Sequence, residues 1–232
     1  MRLFCCTILL LATCSASSAQ TTDKKVEFKS NKEKVSYAIG MNVARQFKQQ
    51  GLDLDVDKFA LGVAAILKDL DPALSAEEIQ KAFEAFEAER AAERKKLGEA
   101  NLAAAKKFLQ ENGKKPGVKT TKSGLQYTVL KEGTGATPTS DNTVSTHYRG
   151  KLLSGKIFDE SYKEDTPTGA DKPVSFGVTQ VISGWTEALQ LMKEGAKYRL
   201  FIKPELAYGE NGPGSIGPNS LLIFDIELLG IK

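Results

Sequence analysis

Residues Gln180–Met192 read QVISGWTEALQLM and contain Trp185, the only tryptophan in the chain. Val181 and Ile182 lead into Ser-Gly, and Trp185 then opens a short helix with Ala188, Leu189 and Met192 on one face. A lone tryptophan is core filling by default, because large aromatics dominate core burial. The alternative is the floor of a pocket, and the flanking sequence has to decide.

On both sides of this helix the period is two. GLQYTVLKEG (124–133), NTVSTHYRGKLL (142–153), GKIFDES (155–161), AKYRLFIKP (196–204) and LLIFDIELLGI (221–231) read as strands rich in β-branched and aromatic residues. Leu153-Ser154-Gly155 reads as a hairpin turn. With one convincing helix among several strands, this half is an α+β domain of about 110 residues, a small antiparallel sheet wrapped on one short helix.

Upstream the pattern is helical. GKKPGVKTTKSG (113–124) is a linker by composition, so the boundaries fall at a linker over 114–120 and a sheet domain over 121–232. Before it, Ser75 with Glu78 forms a capping box, and no stop follows until Gly113. Residues 75–113 therefore form one connecting helix, about 55 Å long, interrupted only by Gly98. Ile79, Phe83 and Phe86 make an apolar stripe at its start, Ala104 and Phe108 another near its end. Arg90 and Glu93 fall on the seam between them. That waist predicts a helix bridging two bodies through water, with a continuous coiled coil as the alternative.

Residues 20–74 carry two further helices. Ser30 with Glu33 caps the first, which presents Val35, Ile39, Val43 and Phe47 and stops at Gly51. The second starts after Asp55 and presents Phe59, Val63, Ile66 and Leu70. Gly40 and Gly62 lie inside them, either for close helix approach or as tolerated weakness, since glycine costs about 1 kcal/mol against alanine. So small a body cannot bury both apolar faces by itself, and a second copy pairing through residues 30–70 is expected.

Residues 1–19 are set apart from the fold. A short basic start, the apolar run LFCCTILLLAT and the small residues of SASSAQ make a secretory signal peptide cut after Ala19. LATC, ending at Cys14, also resembles a lipoprotein cleavage box, so two destinations stand: a soluble exported, periplasmic protein, or one anchored by lipid on Cys14. All three cysteines (Cys5, Cys6, Cys14) lie in this segment, and its only charged residue is Arg2. What remains has no thiol for a disulfide and carries 31 basic against 29 acidic residues, a balance that gives no reason to expect nucleic acid.

The chemistry available is correspondingly narrow. His147 is the only histidine and reads as structural, in mid-strand, so a histidine metal cluster and a Ser-His-Asp triad are both disfavoured. There is no GxxxxGK loop, and GENGPGSIGPN (209–219) does not open a helix. Acid pairs such as Asp159-Glu160 and Asp225/Glu227 carry little signal by spacing. What the sheet half offers is aromatic: Tyr148, Phe158, Phe176, Trp185, Tyr208 and Phe224.

VSTHYRGKLLSGKIFDES, VISGWTEALQLMKEGAKYRLFIKPELAYGENG and IGPNSLLIFDIELL resemble FK506-binding-protein-type peptidyl-prolyl cis-trans isomerases over residues 121–232. The helical part, from KVSYAIGMNVARQF onward, is similar to the dimerisation region of bacterial exported members, the Mip and FkpA-like class. The resemblance implies an isomerase without cofactor, acting on proline-containing peptides and unfolded proteins as a homodimer, with affinity for FK506-like macrolides. A dimeric binding chaperone with incidental isomerisation is the alternative.

The resemblance also assigns positions. Tyr148, Phe158, Asp159, Ile182, Trp185, Tyr208 and Phe224 match catalytic pocket residues, with Trp185 as the floor and the Ile182 N–H and Tyr208 hydroxyl as donors to substrate carbonyls. Val181, Ile216 and Leu222 match substrate-binding positions. Val174 stands near a position often filled by a larger aromatic, Gly217 replaces a second proline, and YKEDTPTGADKP (162–173) contains no arginine. Since every assigned residue lies after 140, residues 121–232 alone are expected to serve a short peptide, and the helical half to matter for a folding protein.

Overall fold

The computed structural model describes residues 26–164 and 171–232. Residues 1–19, read from the sequence as a signal peptide, and the three cysteines within them lie outside the described residues. The chain divides between Arg45 and Gln46 into two units.

Helix α1 (Asn31–Gln49) begins in the first unit. At its start Glu33 N–H donates to Ser30 Oγ at 3.2 Å, while Glu33 Oε2 accepts from Lys29 N–H at 2.7 Å. The reciprocal bond thus reaches one residue earlier than a capping box requires. Phe28 and Tyr37 pack at 5.2 Å. Val35 and Ile39 are left 48% and 58% exposed, so the apolar face is uncovered.

In the second unit, helix α2 (Val56–Leu67) starts where Asp55 Oδ1 accepts from Lys58 N–H at 3.0 Å. Phe59 meets Phe47 edge-on at 5.5 Å, but Val63, Ile66 and Leu70 remain exposed. Helix α3 (Ala76–Asn112) is held at its start by the Ser75/Glu78 capping box, with Ser75 N–H donating to Glu78 Oε2 at 2.8 Å.

The sheet is built from β1 (Val118–Thr120), β2 (Gln126–Lys131), β3 (Thr143–Leu152), β4 (Ile157–Glu160), β5 (Val174–Gly177), β6 (Lys197–Ile202) and β7 (Leu222–Ile231), with α4 (Ser183–Leu189) between β5 and β6. Spatial order is β1-β2-β6-β7-β3-β4, every pairing is antiparallel, and β5 joins the half of β3 that β4 leaves free. This is the α+β architecture expected from the sequence. Alternation along β7 sends Leu222, Phe224, Ile226 and Leu228 inward and Ile223, Asp225 and Glu227 outward. The inward set meets Ala188, Leu189 and Met192 from α4 and its C-terminal turn, and these buried side chains form the core.

The linker stretch is more ordered than its composition implied. Its last three residues, Val118–Thr120, pair with Thr128–Gln126 and extend the sheet by one strand.

Helix α3 also departs from the water-bridging expectation. Its buried residues are Gly98, Ala105 and Asn112, seven apart, and its C-terminal half lies against the sheet domain. Phe108 packs on Phe201 at 5.6 Å, on the face opposite α4. Asn112 Nδ2 donates to Gln126 Oε1 at 3.1 Å, and Gln126 Nε2 donates to Leu109 O at 2.9 Å. The docking stripe consists of small and amide-bearing residues, so a search for apolar periodicity passes over it. The polar waist itself does not face only water: Arg90 donates to Gln50 O and lies over the Phe86 ring.

Candidate functional site

Trp185 is 3% exposed, and three rings stand nearly perpendicular to it: Tyr148 at 5.2 Å, Phe176 at 5.6 Å and Phe224 at 5.2 Å. Edge-to-face geometry of this kind is favoured by the ring quadrupoles. Above the indole is a cavity of about 430 Å³ lined by Tyr148, Asp159, Phe176, Gln180, Val181, Ile182, Trp185, Tyr208 and Phe224. Core residue and pocket floor are therefore one and the same ring. Its Nε1–H has no hydrogen-bond acceptor among the described residues, leaving the floor without a satisfied polar contact.

Short-range sequence features seat this floor. Helix α4 begins at Ile182, whose φ and ψ of −58° and 149° are extended, and no side chain caps it. The helix is fastened from its own face, where Thr186 Oγ1 donates to Val178 O at 2.7 Å, and from the loop before β2, where Ser123 Oγ donates to Glu187 Oε2 at 2.5 Å. Gly184 allows the approach to β6, because a Cβ there would lie 2.6 Å from Ile202 Cγ2. The Ile182 N–H takes part in no hydrogen bond among the described residues.

The polar groups stand on the rim. Strand β4 places Asp159 opposite Gly150, and Tyr148 donates its hydroxyl to Asp159 Oδ2 at 2.9 Å. Tyr208 is 42% exposed on the loop after β6. A larger hollow of about 510 Å³ lies on the outer sheet face between Phe108, Phe201 and the Arg199–Asp225 ion pair. It has no convergent set of aromatic rings, and its central charges are already paired, so the smaller cavity is the better site.

Seven of the residues assigned from the resemblance come together here: Tyr148, Asp159, Val181, Ile182, Trp185, Tyr208 and Phe224. Phe158 stands one ring behind, perpendicular to Phe224 at 5.4 Å. Leu222 is fully enclosed, so it supports the sheet under the site and cannot touch a ligand. Ile216 is 8% exposed and borders a different hollow, with Leu97 and Leu221. The lining residues that the resemblance left unassigned are Phe176, named only among the aromatics of the sheet half, and Gln180. Phe176 was readable: it follows Val174 by two positions on β5, hence on the same face, and supplies the ring that Val174 lacks. His147 is structural, bonded through Nδ1 to Ser161 Oγ at 3.1 Å.

Burial, and then the Asp159 carboxylate, push the Tyr148 phenol far above the ordinary tyrosine value. Burial raises Tyr162 and Tyr198 as well. A raised folded-state value means that the folded chain holds these protons more tightly than the unfolded chain. Stability from this source is therefore complete below about pH 10, where free tyrosine ionises, and falls above it. Denaturant melts between pH 8 and 11 are expected to show no loss from these groups up to about pH 9 and a decline beyond pH 10. Phenolate absorbance of these three residues should appear with unfolding; their ionisation in the folded protein near pH 10 would contradict the burial argument.

An apolar cavity with an aromatic floor and a few hydrogen-bonding groups at its mouth has the lining of a ligand-binding site. Comparison with known proteins makes the class specific. Residues 32–129 match the domain amino-terminal to FKBP-type peptidyl-prolyl isomerase, and residues 135–229 match FKBP-type peptidyl-prolyl cis-trans isomerase itself. The outer membrane protein MIP of Legionella longbeachae is 39% identical over 237 residues, covering 100% of this chain and 98% of that one. The FKBP-type peptidyl-prolyl cis-trans isomerase FkpA of Escherichia coli K12 is 39% identical, covering 94% and 82%. The crystal structure of FkpA from Escherichia coli aligns with a TM-score of 0.59 at 38% identity, over 89% of this chain and 99% of that one. The chain belongs to the FKBP-type peptidyl-prolyl cis-trans isomerase family, and it is an enzyme of that activity.

Proposed function

We propose that an X-Pro bond is turned in the cavity above Trp185, with the prolyl ring on the indole and the Ile182 N–H and Tyr208 hydroxyl donating to the flanking carbonyls. The observation that carries this reading is the box of Tyr148, Phe176 and Phe224 around the indole, open on the side where Asp159, Ile182 and Tyr208 stand. Rotation about the amide must overcome about 18–20 kcal/mol, because it breaks C–N resonance. The twisted amide has lost that resonance, so its carbonyl is less dipolar than the planar form. An apolar box disfavours the planar, well-solvated amide relative to the twisted one, and the rim donors hold the flanking chain in the twisted geometry. Asp159 orients the Tyr148 ring through their hydrogen bond. No covalent step is needed.

Residues 121–232 form the isomerase domain in this reading, 75–113 the connecting helix, 114–120 the linker and 20–74 the dimerisation region of an exported homodimer. The apolar faces of α1, α2 and the start of α3 support the dimer: Val56, Ile66, Leu67 and Phe83 are 75%, 71%, 79% and 63% exposed. Such a surface marks an interaction site. Light scattering at micromolar protein should give twice the chain mass, and a monomer would remove the dimer from the proposal. The MIP relative named for the outer membrane is consistent with export by either route, in solution or anchored through Cys14.

Turnover of a proline peptide tests the site. Asp159→Ala and Tyr208→Phe are each expected to lower kcat/KM about tenfold, the loss of one hydrogen bond to a group fixed in the transition state. Melting temperatures should move by only a few degrees, since Asp159 and Tyr208 lie on the exposed rim. Full turnover in both variants would take these residues out of the reaction.

A further inference from the structure

The loop that follows Tyr208 is gripped by helix α3. Arg94 donates through NH2 to Glu210 O at 2.8 Å and Gly212 O at 3.2 Å. Asn101 donates through Nδ2 to Pro218 O at 2.8 Å and to Ser220 Oγ at 3.3 Å, and Ser220 Oγ donates onward to Ile216 O at 2.7 Å. Between them is Gly98, where a Cβ would stand 3.3 Å from Asn219 Nδ2 and 3.4 Å from Pro218 Cβ. Positions 94, 98 and 101 share one helix face. One end of the loop, beside Tyr208, is thus held by Arg94, and the other end, beyond Ile216, by Asn101.

The loop moves as one piece if it moves at all. Asn219 N–H donates to Gly209 O at 2.8 Å, and Gly217 N–H donates to Pro213 O at 2.7 Å. Gly212 lies so close to Gly217 O that a Cβ would fall 1.9 Å from it. Tyr208, by contrast, has no side-chain hydrogen bond among the described residues and is 42% exposed. Its hydroxyl is placed by its backbone, and its backbone is continuous with the gripped loop.

We propose that Asn101 and Arg94 are positioning residues of the isomerase site, holding the Tyr208–Ser220 loop so that the Tyr208 hydroxyl stands at the cavity mouth. The proposal rests on the reading that this hydroxyl bonds the peptide. It makes α3 part of the catalytic apparatus as well as a connector. Asn101 is the stronger of the two, being half-buried where Arg94 is exposed. It also gives a reason for the one glycine of α3, since a Cβ at position 98 would press on Asn219 Nδ2 and require it to give by a few tenths of an ångström.

The test uses the full chain, with Asn101→Asp and Arg94→Ala each made alone and together with Tyr208→Phe. Asn101→Asp keeps the size and removes the donor. It is expected to lower kcat/KM for a proline peptide about tenfold, and Arg94→Ala about threefold, because misplacement of a binding group acts on the rate. In the Tyr208→Phe background both losses should shrink towards nothing, since the group being positioned has gone. Asn101→Gln, which restores an amide donor, should recover part of the rate. Losses that persist in full beside Tyr208→Phe would overturn the proposal, as they would then come from general loosening. Full turnover by Tyr208→Phe alone would overturn the reading of the site, and this proposal with it. Should Asn101→Asp fail to fold, Arg94→Ala with hydrogen exchange at the Ile216 and Gly217 amides decides: faster exchange confined to the loop supports the grip, and unchanged exchange refutes it.

Discussion

A fragment of residues 121–232 is expected to melt about 15 °C below one of residues 75–232 and to turn over a proline peptide about tenfold more slowly near its melting point. Besides the bonds from Arg94 and Asn101 to the Tyr208–Ser220 loop, three contacts are lost at the cut. Phe201, 8% exposed on the outer sheet face, loses the ring of Phe108. Gln126, 6% exposed, loses both Asn112 and the Leu109 carbonyl. Strand β2 loses β1 and becomes an edge. Uncovering one phenylalanine costs about 2 kcal/mol, and each buried hydrogen bond about 1 kcal/mol. Their sum of roughly 4 kcal/mol corresponds to about 15 °C or more in a domain of this size. Calorimetry and peptide turnover on the two fragments make the measurement. Equal melting temperatures would mean that α3 merely rests on the sheet. Equal turnover by the two fragments would favour the sequence-based expectation that the pocket needs nothing before residue 121. The fragment of residues 75–232, lacking α1 and α2, should match the full chain on a peptide and fall behind it on a refolding protein, where two linked sites gain in apparent affinity.

Trp185→Ala is expected to cost about 3–5 kcal/mol of stability, the usual range for emptying a buried aromatic site, and to lower turnover about 100-fold. Both effects come from the same ring. Tyr148, Phe176 and Phe224 all take an edge against it, so its removal leaves three rings without their common neighbour. Trp185→Phe separates the roles. It keeps an apolar floor in a smaller volume, so stability should fall by about half as much while turnover falls less than tenfold. If Trp185→Ala destabilises without slowing the residual folded enzyme, the indole is core alone and the cavity above it is incidental.

The sheet domain was legible because its strands obey the period of two on a single buried face. β7 is the clearest case, with Leu222, Phe224, Ile226 and Leu228 inward and charged residues between them. Helix starts were equally readable, since Asp55 and Ser75 cap where their side chains allow. Two things escaped. Strand β1 is Val-Lys-Thr in a lysine-rich stretch, and only its pairing with β2 distinguishes it from a linker. The docking of α3 escaped because hydropathy does not register Gly98, Ala105 and Asn112 as a contact face. At the site, Trp185, Tyr148 and Phe224 were placed by resemblance and Phe176 was not, whereas Leu222 was assigned to the ligand although strand alternation turns it into the core. The apolar faces of α1 and α2 were read correctly as apolar, and apart from the Phe47–Phe59 contact Val35, Ile39, Val63 and Ile66 remain exposed among the described residues.

That the chain has a single tryptophan, and has it under the cavity, carries an optical consequence. Excited at the red edge, where tyrosine no longer absorbs, the protein emits from one place only. Enclosure at 3% exposure keeps that emission towards the blue, and any prolyl ring or macrolide settling on the indole changes its surroundings directly. Occupancy of the cavity can therefore be followed by the light of the unlabelled protein, on helical and catalytic variants alike, without a substrate being turned over.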